Sequence, residues 1–369
     1  MSMAWRPNLS EIPERPGVYH FRSARGAILY IGKALNLRRR IASYVQRRAG
    51  QPAKLRRMMA RARAVTIEET GSELEALLLE SRLLKREAPP FNQLSTRYAA
   101  LPFVKLTLAE PFPHLLLTRD FAADGGIYLG PFPRYDIAET VLMTLQRLFP
   151  LRTCDGAIWP GVSPAPCVAF HVRKCAAPCV SAAHAAAYQC HVTAILSLLA
   201  QGCEAILQRM RDERQRAVEA LRFERARHLH ALLTAFDEAT LGRPLALMPV
   251  AQRNLAVCFE MPQRNAYEVY FIRDGLFDSR IVLEGSLLNL QCLRAALACW
   301  YSIEHRLRAT SSEDVVDELR LVAGWLHRTQ RQARWVHLDP QMSPADSLEA
   351  VIQAMTTPRR QHYALGREP

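Results

Sequence analysis

The sequence predicts an α+β protein with several domains, and three observations support this class. Short stretches of alternating apolar residues lie near the N-terminus and again after residue 250, and they indicate small sheets. Residues 183–241 consist almost entirely of helix-forming residues, and Gly202 marks a break between two helices. Four cysteines lie between these parts in a segment rich in Pro and Gly. The length of 369 residues is enough for two or three domains.

The first domain is expected over residues 10–95, as a small mixed sheet flanked by helices. Residues 17–22 and 27–32 carry alternating apolar side chains, and the tight connection Ala24-Arg25-Gly26 between them indicates a hairpin. Ser72 with Glu75 three residues later is a capping-box pattern for the last helix of this domain. The remaining patterns predict helices at 35–47, 53–61 and 72–86 and a third strand at 65–67.

Four further segments are predicted after the first domain. They are a connector subdomain at 96–150, a cysteine-rich metal loop at 151–182, a helical hairpin at 183–243 and a small α/β C-terminal domain at 244–369. The connector pattern indicates strands at 103–108 and 114–118, a loop at 128–133 and a helix at 135–148. The tail pattern indicates strands at 254–259 and 266–272, a turn at Asp274-Gly275, and helices at 290–301 and 314–328. We interpret the acidic residues Asp274 and Asp314 as a turn and a helix start, and not as part of a metal site.

Positive charge is concentrated at the N-terminal end of the chain. Residues 1–63 contain fifteen Lys and Arg against two acidic residues, so they carry the whole net charge of +13. An excess confined to one domain is the electrostatic signature of a polyanionic partner, and phosphate contacts give such a partner affinity without sequence specificity. No apolar run approaches the roughly 20 residues of a membrane span, and no signal-peptide pattern is seen, so we expect a cytosolic protein without a membrane partner.

Two phenols, a lysine and an arginine are clustered in the predicted hairpin and the helix after it. The motifs that carry them are Gly17-Val18-Tyr19, Tyr30-Ile31-Gly32-Lys33 and Asn36 to Arg40. These motifs resemble the GIY-YIG nuclease family, and their spacing is similar to its UvrC branch. The similarity continues through Gly71 to Glu80, Pro89 to Asn92, Tyr128 to Pro133 and the four cysteines, and it covers about residues 10–240.

The resemblance implies a metal-dependent endonuclease and assigns its principal residues. In the family, the first tyrosine acts on the attacking water, an arginine steadies the phosphate and one glutamate holds a divalent metal. Matched position by position, these roles fall on Tyr19, Arg40 and Glu80, with Mg²⁺ or Mn²⁺ as the metal. Glu73 and Glu75 lie near the same helix, but Glu80 occupies the position of the family ligand.

Three further residues are expected to support the reaction. Tyr30 and Lys33 would orient the water and lower the pKa of a phenol, which is otherwise about 10 and too high for a base at neutral pH. Asn92 matches a family position near the site. All three are therefore counted among the candidate catalytic residues.

The four cysteines Cys154, Cys167, Cys175 and Cys179 have the spacing C-x12-C-x7-C-x3-C. In a chain without an export signal, such thiols are kept reduced, so a metal centre is favoured over disulfides. Zinc is the usual metal of four clustered cysteines. The resemblance to the UvrC cysteine segment instead implies a 4Fe-4S cluster, with zinc as the alternative.

Residues 221–229 resemble the UVR motif, through which UvrC proteins bind UvrB, although simple packing of a helix explains the same pattern. The resemblance thus implies UvrB as a partner of residues 205–240, and damaged double-stranded DNA as the substrate. The chain as a whole is similar to a short, Cho-like homologue without the RNase H-like and helix-hairpin-helix domains. We expect a single incision, 3′ to the lesion, in nucleotide excision repair. The alternatives are a GIY-YIG endonuclease outside excision repair and a non-catalytic DNA-binding scaffold.

Overall fold

The computed structural model describes residues 5–46, 52–92, 101–241, 244–261, 264–284, 288–302 and 312–357. The chain divides into two compact units, residues 1–97 and residues 98–369. Among the described helices, none has both the length and the apolar character that crossing a lipid bilayer requires.

The N-terminal unit is built on a three-stranded sheet with β1 in the centre. The strands are β1 (Gly17–Ser23), β2 (Ile28–Ala34) and β3 (Ala62–Glu69), in the order β2-β1-β3. The predicted hairpin of β1 and β2 is confirmed, and β3 is longer than predicted. Both pairings are antiparallel, so the expected mixed sheet is wrong. The reason is that the two helices between β2 and β3 return the chain to the free side of β1 in the direction opposite to β1.

The three predicted helices of this unit are confirmed to within two residues at each end. They are α1 (Leu37–Val45), α2 (Ala53–Arg61) and α3 (Glu73–Glu87). The Asn36 side chain caps α1 by accepting a hydrogen bond from the Arg39 N–H, and Ser72 caps α3 in the same way through Glu75. Helix α3 ends at Glu87, and the capping residue Ala88 is left-handed just before the two prolines.

The chain after α3 is attached to the outer edge of β2. The Phe91 N–H donates to the Leu29 carbonyl oxygen at 3.0 Å. The Asn92 side chain binds both backbone groups of Ile31: its Oδ1 accepts from the Ile31 N–H at 2.9 Å and its Nδ2 donates to the Ile31 carbonyl at 2.7 Å. Residues 89–92 and β2 are therefore held together as one piece.

The first part of the C-terminal unit combines a small sheet with helices around one core. Strands β4 (Phe103–Leu106), β5 (Leu115–Thr118) and β6 (Ile127–Leu129) form an antiparallel sheet in the order β5-β4-β6. Helix α4 (Tyr135–Leu148) has the predicted bounds, whereas the predicted loop at 128–133 begins inside β6.

Three long helices, and not two, occupy the segment after the cysteines. The short α5 (Val168–His171) lies among the cysteines, and it is followed by α6 (Ala182–Gln201), α7 (Cys203–Glu219) and α8 (Phe223–Thr240). The predicted break at Gly202 is confirmed, but a second break occurs where Leu221 takes a left-handed conformation with φ 56°. No Gly or Pro marks this turn, so the pattern of helix-forming residues did not reveal it.

The C-terminal sheet has four antiparallel strands. They are β7 (Leu255–Met261), β8 (Ala266–Arg273), β9 (Leu276–Glu284) and β10 (Ala333–His337), in the order β10-β7-β8-β9. The predicted turn at Asp274-Gly275 is confirmed, and both residues have positive φ, as a tight hairpin requires.

Helices α9 (Leu288–Ser302), α10 (Ser312–Thr329) and α11 (Pro344–Thr356) complete the C-terminal unit. Strand β10 and helix α11 were not predicted, although Ser343 and Pro344 form an ordinary helix start. In the same region Asp278 pairs with Arg273 at 3.4 Å, a structural role for an acidic residue of the tail.

Candidate active site

Three phenols from three elements meet in the core of the N-terminal unit. Tyr19 lies on β1, Tyr30 on β2 and Tyr44 on α1. The Tyr19 and Tyr44 hydroxyl oxygens are 2.7 Å apart in a buried hydrogen bond. The Tyr30 ring lies 6.1 Å from the Tyr19 ring and 6.3 Å from the Tyr44 ring, between centroids. The sheet and the first helix thus converge on one group of hydroxyls.

Gly32 makes room for this group. It lies opposite Tyr19 in the hairpin register, and a Cβ atom at this position would stand 2.4 Å from the Tyr19 hydroxyl oxygen. Any other residue would displace the Tyr19 ring, because its Cβ would lie far inside van der Waals contact. The glycine of the Tyr-Ile-Gly motif is explained by this close approach.

Arg40 places a fixed positive charge against the phenols. Its Nε donates to the Tyr19 hydroxyl oxygen at 3.3 Å, and its guanidinium carbon lies 5.2 Å from the centroid of the Tyr44 ring. The side chain is therefore held by a hydrogen bond on one side and by a cation–π contact on the other. This arrangement leaves the planar fork of terminal nitrogens available for an oxyanion.

Burial raises the pKa of Tyr19, and the neighbouring phenols raise it further. Burial also raises the pKa of Tyr30 to about 12. Burial opposes a lowered phenol pKa in the free protein, because loss of hydration penalises the phenolate, and the charge of Tyr30 adds to the rise at Tyr19. The roles expected for Tyr30 and Lys33 in the reaction stay predictions. The ammonium of Lys33 pairs with Glu73, at 3.0 Å.

Glu80 is a half-buried carboxylate beside this group, on the face of α3 that packs against β2. Its Oε1 accepts a hydrogen bond from the Lys33 backbone N–H at 2.9 Å. Burial raises the pKa of Glu80, while that hydrogen bond and the charges of Lys33 and Arg40 oppose the rise. A carboxylate in this position suits Mg²⁺, which keeps several waters and binds through one or two protein carboxylates.

Asn92 lies along the free edge of β2, with both of its amide groups bound to the Ile31 backbone. Ile31 directly follows Tyr30 in the sequence. The geometry therefore suits a positioning residue that fixes the strand next to a phenol.

Two family models match the chain over adjacent segments. Residues 15–93 match the UvrC-like GIY-YIG domain. Residues 101–198 match the middle domain of the UvrC/Cho excinuclease. The chain belongs to the UvrC family of GIY-YIG proteins.

Named relatives of this UvrC-like chain agree with the two domain matches. It is 30% identical to UvrABC system protein C of Clostridium beijerinckii over 278 residues, which is 75% of this chain and 45% of that protein. It is 34% identical to UvrABC system protein C of Carboxydothermus hydrogenoformans over 269 residues, 72% of this chain and 44% of that protein. The chain thus spans about half the length of the curated relatives it matches.

A solved structure similar to the chain is the magnesium-bound GIY-YIG N-terminal endonuclease domain of UvrC from Thermotoga maritima. The match has 35% sequence identity and a TM-score of 0.21, and it covers 23% of this chain and 91% of that domain.

Two residues of the UvrC-like site were missed in the sequence. Tyr44 was not singled out from the sequence, and Glu73 was placed only near the helix that carries Glu80. The signal for Tyr44 was present, because Tyr44 follows Arg40 by four residues and so lies on the same helical face. Glu73 opens α3 and meets Lys33, which no sequence spacing predicts.

The four candidate cluster ligands lie in the C-terminal unit. Cys175 is buried, Cys179 is half-buried, and Cys154 and Cys167 are exposed. Burial raises the pKa of Cys175, and the other three thiols raise it as well, so each of the three is within electrostatic range of Cys175. The Ala177 N–H donates to the Cys175 Sγ at 3.3 Å. The donor set suits an iron-sulfur cluster or zinc, although in the described residues no three His, Cys, Asp or Glu side chains are arranged to hold a metal ion.

Proposed function

We propose that the N-terminal unit is an endonuclease that hydrolyses a phosphodiester bond in DNA. The observation that carries this proposal is the contact of Arg40 with Tyr19 and Tyr44, with the Glu80 carboxylate bound to the neighbouring strand β2 and within range of the Arg40 charge. Phosphodiester hydrolysis requires an oriented water, a proton acceptor and positive charge for the phosphate. The site brings a guanidinium, three phenols and a carboxylate to one end of a small sheet.

Each of these residues has a distinct role in the proposed reaction. Arg40 binds the phosphate oxygens that gain charge in the transition state. Tyr19 orients the attacking water through its hydroxyl oxygen, which Arg40 and Tyr44 hold in place. The raised pKa keeps Tyr19 protonated near neutral pH, so in the free protein it acts first as an orienting group. The Tyr44 hydroxyl oxygen, 2.7 Å away, keeps the Tyr19 hydroxyl in this orientation.

Glu80 is the proposed protein ligand of a Mg²⁺ or Mn²⁺ ion. When bound, such an ion supplies charge neutralisation and a more acidic water. The Lys33 backbone N–H fixes the carboxylate on one side and so presents its second oxygen in one orientation. Tyr30 lies on the same strand as Lys33 and packs against the phenols that face the phosphate.

Nicking of DNA by the purified full chain tests this proposal. A lesion-bearing duplex and an undamaged duplex of the same sequence are incubated with Mg²⁺, with Mn²⁺ and with a chelator. We expect nicks in one strand that depend on the metal and that map to the 3′ side of the lesion. A chain that binds DNA without cleaving it under any of these conditions would be the scaffold described above.

We further propose that the substrate is damaged duplex DNA in nucleotide excision repair and that UvrB is the partner. The turn between α7 and α8 supports a docking site, because Leu221 is 73% exposed and Phe223 is 63% exposed there. Large apolar side chains in such positions are typical of a protein interface. Phe223→Ser should weaken binding to purified UvrB, whereas Leu241→Ser, at an equally exposed apolar residue beyond α8, should not. Equal binding by the two variants would argue for another surface.

The cysteine segment is proposed to hold a 4Fe-4S cluster in a structural role, with zinc as the alternative. The support is the proximity of the three other thiols to Cys175 and the N–H···S hydrogen bond to Cys175. Backbone N–H groups directed at sulfur are a known means of stabilising thiolate ligands.

A further inference from the structure

A second basic site lies next to the candidate active site. It is a concavity of about 500 Å³ between α2 and the chain that follows α3. The wall on the α2 side carries Lys54, Arg57 and Arg61, and the opposite wall carries Phe91. None of these residues belongs to the nuclease group described above.

The three cations lie on one face of α2, at positions i, i+3 and i+7, so their side chains are directed into the same space. Within the part of the chain that the structure describes, none of the three forms an ion pair or a side-chain hydrogen bond. The guanidinium of Arg61 lies 5.5 Å from the centroid of the Phe91 ring. Like charges held together without a counter-ion repel one another, and an anion in the concavity removes this repulsion.

The position of this site is fixed relative to Tyr30. The Phe91 N–H binds the Leu29 carbonyl oxygen, and Asn92 binds the Ile31 backbone, so these contacts fall on either side of Tyr30. The Phe91 wall of the concavity and the Tyr30 phenol are therefore anchored at adjacent positions of one strand. Neighbouring residues of a strand are only about 3.3 Å apart, so a few nucleotides of one DNA strand are long enough to reach both sites.

We propose that Lys54, Arg57 and Arg61 bind a backbone phosphate of the DNA strand a few nucleotides from the scissile phosphate. The cation–π contact of Arg61 with Phe91 holds one of the three charges in place for this phosphate. The site sets the register of the strand in the active site and adds affinity without reading sequence. This inference rests on the proposed function for the identity of the scissile phosphate, but the phosphate contact itself is independent of cleavage.

Binding in the absence of divalent metal tests the contact separately from the chemistry. Arg57→Ala is compared with Arg56→Ala, the exposed neighbour on the same helix that does not line the concavity. We expect Arg57→Ala to reduce affinity for a labelled duplex on the order of five- to tenfold at low salt and to lower the slope of log K against log salt by about one. Equal losses for both variants would overturn the proposal, because they would show a diffuse basic surface.

The position of the contact can be mapped with single methylphosphonates, which replace one charged phosphate by a neutral group. When the methylphosphonate stands at one or two neighbouring positions, Arg57→Ala should cause no further loss of affinity. With the methylphosphonate at any other position, the variant should bind more weakly than the unaltered protein. Additive losses at every position would show that the residue contacts no particular phosphate. Nicking by the unaltered protein is measured on the same duplexes, so an inactive protein that keeps this pattern would refute the nuclease and not the phosphate site.

Discussion

Tyr19 and Tyr44 share a buried hydrogen bond of 2.7 Å between their hydroxyl oxygens, and Arg40 donates to the same Tyr19 oxygen at 3.3 Å. The Tyr19 oxygen is thus held by two residues of α1, Arg40 and Tyr44, which lie on successive turns of the helix. Its orientation depends on α1 as much as on its own strand. This relationship makes Tyr44 a sensitive probe of the site.

Tyr44→Phe should slow single-turnover nicking by about tenfold or more, which corresponds to about 1.4 kcal/mol. The ring remains to pack in the core, but the hydroxyl that orients Tyr19 is lost. DNA affinity without metal should be nearly unchanged. Tyr135→Phe, at an exposed tyrosine of the C-terminal unit, is the control. A Tyr44→Phe variant with the parental rate would show that the phenol pair is only a packing contact.

Glu80→Gln should reduce nicking on the order of 100-fold or more, about 2.7 kcal/mol. The amide oxygen can still accept from the Lys33 N–H, so the fold is kept while the negative charge is lost. Glu87→Gln, at the exposed end of the same helix, should be near the parental rate. The rates are compared across a Mg²⁺ titration. Undiminished cleavage by Glu80→Gln at every concentration would remove Glu80 as the metal ligand.

Arg40→Lys should lose at least on the order of tenfold in rate, about 1.4 kcal/mol. An ammonium cannot both bind the Tyr19 oxygen and present a planar fork to the phosphate. Arg39→Lys should have little effect, because Arg39 is exposed and only its backbone takes part in the Asn36 cap. Single-turnover rates measure the difference. If the two variants behave alike, the arginines act only as a basic patch.

Cys175→Ser should lower the solubility and the thermal stability of the protein, because the free energy of metal binding in such a loop also stabilises the folded state. Protein purified without oxygen should be brown and contain about four irons per chain if the cluster is of the 4Fe-4S type. Cys190→Ser, at an exposed cysteine of α6, should keep colour and stability. Metal analysis and thermal melting are the measurements. Colourless parental protein with stoichiometric zinc would identify the alternative metal.

The C-terminal unit should lose stability as the pH falls. Burial lowers the pKa of His114, and the charge of Arg152 lowers it further. The unfolded chain takes up this proton near pH 6.5, whereas the folded chain resists it until a lower pH. The contribution of neutral His114 to the free energy of unfolding is therefore complete above about pH 6.5. It is lost as the pH falls through the pKa of His114 in the folded protein.

Urea unfolding at a series of pH values, followed by tryptophan fluorescence, checks this behaviour, since four of the five tryptophans lie in residues 98–369. His114→Gln should flatten the dependence on the acid side. His228→Gln, at an exposed histidine of α8, should leave it as it was. An unaltered pH dependence in His114→Gln would assign the effect to other groups.

The local pattern predicted most elements of the N-terminal unit, because its signals are short-range. Alternation, the Ser72 cap and the glycine turn each act within a few residues, and α2 was predicted at its observed bounds. The direction of β3 was not predictable in this way. Its pairing with β1 joins residues about 50 positions apart, such as Tyr19 and Ile67.

For the candidate site as well, the sequence predicted the residues at motif positions but not the contacts between distant elements. The resemblance supplied Tyr19, Arg40 and Glu80 by position, and the structure brings the first two into contact. It did not supply the effect of burial on the phenol pKa, because burial depends on how α1 closes over the sheet. Nor did it supply the pairing of Lys33 with Glu73, which joins β2 to α3.

The two outer edges of the N-terminal sheet are protected against pairing with a second chain by different means. On β2 the Asn92 side-chain amide bonds the N–H and the carbonyl of Ile31, as the backbone of a neighbouring strand would. These groups are therefore not available to a strand of a second molecule. On β3 the protection comes from exposed charged residues, such as Arg63, Glu68 and Glu69. Replacing Asn92 would therefore open an edge beside Tyr30, and the first consequence of such a change in a concentrated sample would be self-association of the sheet.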